Sequence, residues 1–265
     1  MSRPDKFLPS ILALDTATEA CSAALQVGAR VLERFEDLDR GHSERILPMI
    51  DELLHAGGIA LADLDAIAFG RGPGAFTGVR LAASVTQGLA FGAGLPVVPI
   101  SNLALLAAQA FRLDRAATHV WVAADARMQE IYCATYQRVS GHSGQLNSVD
   151  TMSAEFERLG EERVVGGTAL VLPPAELEQA ARADSSGLAT ARVVAIGRAL
   201  RAYPAVAVRL DGWCAARFAH ALPQAVDMLP LASRAFLAGR AVPAELALPV
   251  YVRDDVARVP VIPVK

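Results

Sequence analysis

A strand, an aspartate, a turn and a returning strand occur twice in this chain, 110 residues apart. Residues 11–14 lead to Asp15 and return over 21–25; residues 120–124 lead to Asp125 and return over 131–136. Ala24 and Ala134 keep the same offset. A repeated unit constrains the fold strongly, because each copy must bury equivalent apolar faces against equivalent elements. Around the first copy the pattern predicts three antiparallel strands, 11–17, 21–27 and 30–37, with a turn at Gly28-Ala29. After Gly41 the hydrophobic period lengthens: a helix over 42–55, a strand over 65–69, a helix over 77–93, a strand over 96–100, and a helix opening at Ser101-Asn102. Strands alternating with helices imply parallel additions to one sheet.

Three meandering strands followed by αβαβα is the order of the ribonuclease-H-like unit, which actin-like ATPases use twice. The expected fold is therefore α/β, actin-like, with two lobes: residues 1–113, and residues 114–265 including a C-terminal tail. Beyond about Gly141 the pattern fades into a polar stretch to Ser148, the turn Gly166-Gly167, the Pro173-Pro174 break and a loop around Ser185–Gly187. The second copy should thus be shortened and diverged. A chain of 265 residues can bury two such cores, and with 53% hydrophobic but only 6% aromatic residues those cores are built from Ala, Leu and Val.

A formal charge of −3 lacks the basic excess with which a lone protein clamps nucleic-acid phosphates. Cys21, Cys133 and Cys214 are too few and too far apart for a disulfide framework or a CxxC zinc site, so a reducing cytoplasm is expected. No charge occurs from Leu81 to Phe111, but Gly92, Gly94, Pro96, Pro99 and Asn102 interrupt the run, which predicts a buried helix, strand and helix and no membrane span.

Asp15 and Thr16 stand at a strand end, where a carboxylate can hold magnesium and a hydroxyl can meet phosphate; the alternative is a polar turn serving its own backbone. A full nucleotide cradle needs glycine in the facing hairpin, and that turn is Asp125-Ala126-Arg127-Met128-Gln129. The densest motif is residues 70–80, with Gly72 and Gly74 before a helix whose expected N-cap is Thr77. Its amides can take an anion, or its glycines can let helix and sheet pack closely. It is not a Rossmann loop, since no Asp or Glu occurs from Ala66 to Leu113, and it lacks the Walker lysine. His42 opens the first helix, but Ile46 stands where a second metal-ligating histidine is needed.

The segments LALDTATEACSAAL, GHSERILPMI, GRGPGAFTGVRLA, DARMQEIYCATY and LPVYVRD resemble, in order and spacing, the bacterial TsaB (YeaZ) family of tRNA threonylcarbamoyladenosine biosynthesis proteins. The resemblance runs from Ile11 to Asp254 with a poor match over 140–243, and Ala75 and Val79 replace the usual Ser and Leu. It implies a non-catalytic scaffold that needs no cofactor, dimerises with the catalytic paralogue TsaD, is joined by the ATPase TsaE and meets tRNA only through that complex. The complex transfers threonylcarbamoyl to the adenosine beside the anticodon. TsaD carries the His-x-x-x-His site absent at His42 and Ile46.

On the first helix Ile46, Leu47, Met49, Ile50, Leu53 and Leu54 span about 160°, wider than the roughly 100° one core needs. On the helix from Thr77, Leu81, Val85 and Leu89 form a bulky stripe beside the small Ala82, Thr86, Ala90 and Ala93. Either both helices are wholly internal, or part of this surface meets a partner. With the resemblance, Ile46, Leu47, Ile50, Leu54, Leu81, Ala82, Val85 and Leu89 become the expected interface, one that can also pair copies of this chain. Asp15, Thr16, Gly72, Gly74 and Thr77 form the candidate vestigial anion site. The rival functions are an independent actin-like ATPase or kinase and a metallopeptidase-like protein.

Overall fold

Period-two burial on both faces builds the first sheet. Leu12 and Leu14 of β1 (Ile11–Asp15) face one core, and Ile11 and Ala13 face another. The protein is described by a computed structural model covering residues 8–139, 155–167, 169–172, 174–175, 177–178 and 191–252. Of the sequence features above, the polar stretch to Ser148, Pro173, the loop at Ser185–Gly187 and the end of LPVYVRD lie outside the described residues.

β2 (Ala20–Val27) and β3 (Arg30–Asp37) complete the meander, and β4 (Ala66–Gly70) and β5 (Val97–Ile100) add in parallel, giving the order β3-β2-β1-β4-β5. β6 (His119–Asp125), β7 (Glu130–Arg138), β8 (Phe156–Gly166), β9 (Val193–Ile196) and β10 (Ala216–Phe218) form a second sheet in the order β10-β9-β6-β7-β8. Read from β8, its order and strand directions repeat the first. The duplication therefore persists through the region where the sequence pattern fades. Its register is not quite that of the residue offset. Asp15 pairs with Ser22 but Asp125 pairs with Ile131, so the second turn is one residue shorter. Ala13 faces Ala24, and its counterpart Ala123 faces Cys133; Ala134 is thus not the equivalent of Ala24.

The helices α1 (His42–Gly57) and α2 (Phe76–Ala93) cover one face of the first sheet. In α2's place after β9 stand only the short α4 (Ala199–Ala202) and α5 (Pro204–Val208). The last helix of each unit crosses over. α3 (Asn102–Leu113) buries Leu103, Leu106, Ala110 and Phe111 against the second sheet, while Leu105 points into the first. α6 (Ala225–Leu237) returns to the first sheet, with Met228, Leu229 and Ala232 against Ile11, Ala13 and Ala24. Ser22 of β2 accepts the Ala225 N–H at 3.1 Å, satisfying an orphan donor at α6's start. Arg112 of α3 pairs with the buried Asp227 of α6 at 2.5 Å. Packing thus crosses the expected boundary at 113/114: residues 225–237 lie against the first core, and α3 is shared because a helix apolar on most sides must be covered on most sides.

Candidate functional site

The candidate residues fall on two features of the first lobe: the turn after β1 with the loop it meets, and the helices α1 and α2. The Asp15 carboxyl is fully buried. Its Oδ1 accepts from Asn102 Nδ2 at 2.6 Å, and Asn102 Oδ1 accepts the Gly72 N–H at 2.8 Å. Asp15 Oδ2 has no hydrogen-bond partner. Burial pushes the carboxyl up to about 7, against the pull of the bonds from Asn102 and the Ala17 backbone. The Thr16 hydroxyl donates to the Gly78 carbonyl at 2.7 Å, and the Ala75 N–H donates to the Ala17 carbonyl at 2.7 Å.

The glycines explain this closeness. A Cβ at Gly70 would overlap Asp15 Oδ1, one at Gly74 the Ala17 carbonyl, and one at Gly78 the Thr16 carbonyl. Asp15, Thr16, Gly72 and Gly74 are thus brought together as expected, but as a seam in which turn and helix spend their polar groups on each other. The close-packing alternative describes this loop. Thr77 lies outside the seam, exposed, and is not the N-cap: α2 begins at Phe76 behind Ala75, with no side-chain cap bond. Asn102, which joins the carboxyl to the loop, was not foreseeable as more than the opening of a helix. His42 Nε2 lies 3.0 Å from the Thr18 carbonyl, tying α1 to the same turn.

The interface residues divide by burial. Ile46 and Ala82 are wholly buried and Ile50 is 3% exposed, so these three belong to the first core and have no surface to offer a partner. The wide arc on α1 is mostly explained by its own sheet. What remains outside is Leu47, 49% exposed, and the half-buried Leu54 one heptad further along. On the adjoining α2, Leu81, Val85 and Leu89 are half-buried. The small stripe Ala82, Thr86 and Ala90 faces inward, and the outward small residues are Ser84, Gly88 and Gly92. A Cβ at Gly88 or Gly92 would meet nothing within 4 Å. Phe91, 81% exposed, and Phe76, 58% exposed, flank this face and are additions that a stripe analysis passes over.

A family model described as TsaD, tRNA N6-adenosine threonylcarbamoyltransferase, matches residues 36–259. The tRNA threonylcarbamoyladenosine biosynthesis protein TsaB of Escherichia coli (strain K12) is 41% identical over 253 residues, which are 93% of this chain and 96% of that protein. TsaB of Haemophilus influenzae is 56% identical over 123 residues, 46% of this chain and 52% of that one. The solved structure of YeaZ from Pseudomonas aeruginosa superposes with a TM-score of 0.73 at 40% identity, covering 92% of this chain and 99% of that one. Matching of this extent over almost all of both chains shows that the chain belongs to the TsaB (YeaZ) family, within the wider actin-like family that the TsaD model describes.

Proposed function

We propose that this chain is a non-catalytic scaffold in tRNA threonylcarbamoyladenosine synthesis, docking through the outer face of α1 and α2 on a TsaD-like catalytic paralogue. The name of its relatives supports the pathway. The observation that carries the scaffold reading is the apolar surface left on those helices: Leu47 is 49% exposed, and Leu54, Leu81, Val85 and Leu89 are only partly buried. Gly88 and Gly92 strengthen it. Each costs an exposed helix about 1 kcal/mol relative to alanine, and among the described residues nothing packs on either to repay that. A partner helix crossing close to α2 gives them a use.

The seam supports the non-catalytic half. A fully buried carboxyl, raised by that burial to about 7 and closed in by Gly70, is poorly arranged to hold magnesium. In this reading a TsaE-like ATPase joins the pair, tRNA is met only through the complex, and the site of work is the cytoplasm. No helix among the described residues is long and apolar enough to cross a membrane. The same face can pair two copies of this chain when the paralogue is absent. The test is reconstitution. This chain and the TsaD-type protein of the same organism should co-elute as a heterodimer, and modified tRNA should form only when both are present with the ATPase. Product formed at full rate without this chain would refute the scaffold role.

A further inference from the structure

Two guanidinium groups of the second lobe converge on one carboxylate of the first. Glu19, in the β1–β2 turn, receives Arg127 Nη2 at 2.7 Å and lies 3.5 Å from Arg198 Nη1. Arg198 also reaches Asp37 at the end of β3, at 2.7 Å. Arg127 is oriented from its own side, its N–H and Nη1 both held by Asp125 at 2.8 and 3.1 Å. Tyr203 donates to the same Asp125 at 2.8 Å. The turn that presents Arg127 is strained: Arg127, Met128 and Gln129 have φ of 61°, 52° and 61°, a left-handed run without glycine. Such a conformation is disfavoured for residues with a Cβ and persists where its surroundings hold it.

We propose that this network is an interlobe clasp, in which Glu19 of the first lobe is held by Arg127 and Arg198 of the second. Single exposed pairs contribute little. Here one carboxylate, only 25% exposed, is shared by two guanidiniums, and Asp37 anchors the second, so the groups act as a unit. The clasp sets the angle between the docking helices of the first lobe and the whole of the second. It does not depend on the identity of the docking partner.

Spin labels on the full chain measure it directly. Cysteines placed at Ala56 on α1 and Val208 on α5, both exposed, with Cys214→Ser, report the lobe-to-lobe distance. At low salt the distribution should be narrow. Glu19→Gln should widen it about twofold, and so should about 1 M NaCl on the intact clasp, where the Debye length is roughly 3 Å. An unchanged distribution in a folded Glu19→Gln variant overturns the clasp. If that variant fails to fold, salt decides: an unchanged width at high salt overturns it equally.

Discussion

Asp15 and Asp125 end equivalent strands of a duplicated unit, and their surroundings have gone opposite ways. Asp15 is fully buried against Gly70 and driven toward its neutral form. Asp125 keeps 17% of its side chain exposed and is held by an arginine, by that arginine's backbone and by a tyrosine. Backbone topology survived the duplication while side-chain chemistry was reassigned, one turn to packing and the other to charge pairing. The difference teaches that an aspartate in an inherited position does not by itself define an inherited activity.

The comparison breaks most easily at the seam. Gly78→Val would drive a side chain into the Thr16 carbonyl, which cannot swing away as a flexible side chain can. The expected cost is about 4 kcal/mol, a fall of roughly 10 °C in melting temperature. A variant melting within a degree or two of wild type would mean the seam is loose.

Next in size is a pH effect. Asp15 has its folded pKa raised to about 7, so the folded state binds the proton more tightly than the unfolded chain does. The stability this contributes is fully present below the unfolded value near 4 and is lost as pH rises through about 7. Of order 3 kcal/mol should disappear between about pH 4 and pH 8 in wild type. Melting curves of Asp15→Asn across that range should lack this component, and parallel pH profiles for the two proteins would contradict it.

On the other turn the effects are smaller. Asp125→Ala removes the bonds from Arg127 and Tyr203 at a partly solvated site, and urea unfolding should show a loss of about 1–2 kcal/mol that shrinks in high salt. The smallest change has the opposite sign. Gly88→Ala, in the same helix as Gly78 but facing open space, should stabilise the isolated chain by about 0.5–1 kcal/mol. If a partner helix crosses there, the same methyl group should weaken docking.

Topology is legible in the sequence because strand, turn and helix patterns are local, and the repeat doubles each of them. The turn lengths are not: Ala24 and Ala134 share an offset, yet one residue fewer in the second turn shifts the pairing to Cys133. Helix crossover is hidden too, since the pattern of α6 says that it has an apolar face but not which sheet that face covers. At the candidate site, Leu47 is legible as apolar, whereas telling it from Ile46 and Ile50 requires the orientation of α1 over the first sheet. Asn102, Glu19 and Arg198 carry no sequence mark, because their partners are assembled from distant turns.

The docking claim rests on Leu47, and one substitution tests it most directly. Leu47→Glu places a charge on a surface already 49% exposed, so the melting temperature should stay close to wild type. Carrying that carboxylate into a dry helix contact should cost about 3 kcal/mol or more, at least roughly a hundredfold in affinity for the TsaD-like protein by calorimetry. Ile50→Glu, one turn away but in the core, should instead collapse the melting transition. A folded Leu47→Glu protein that binds its partner with undiminished affinity would contradict the account.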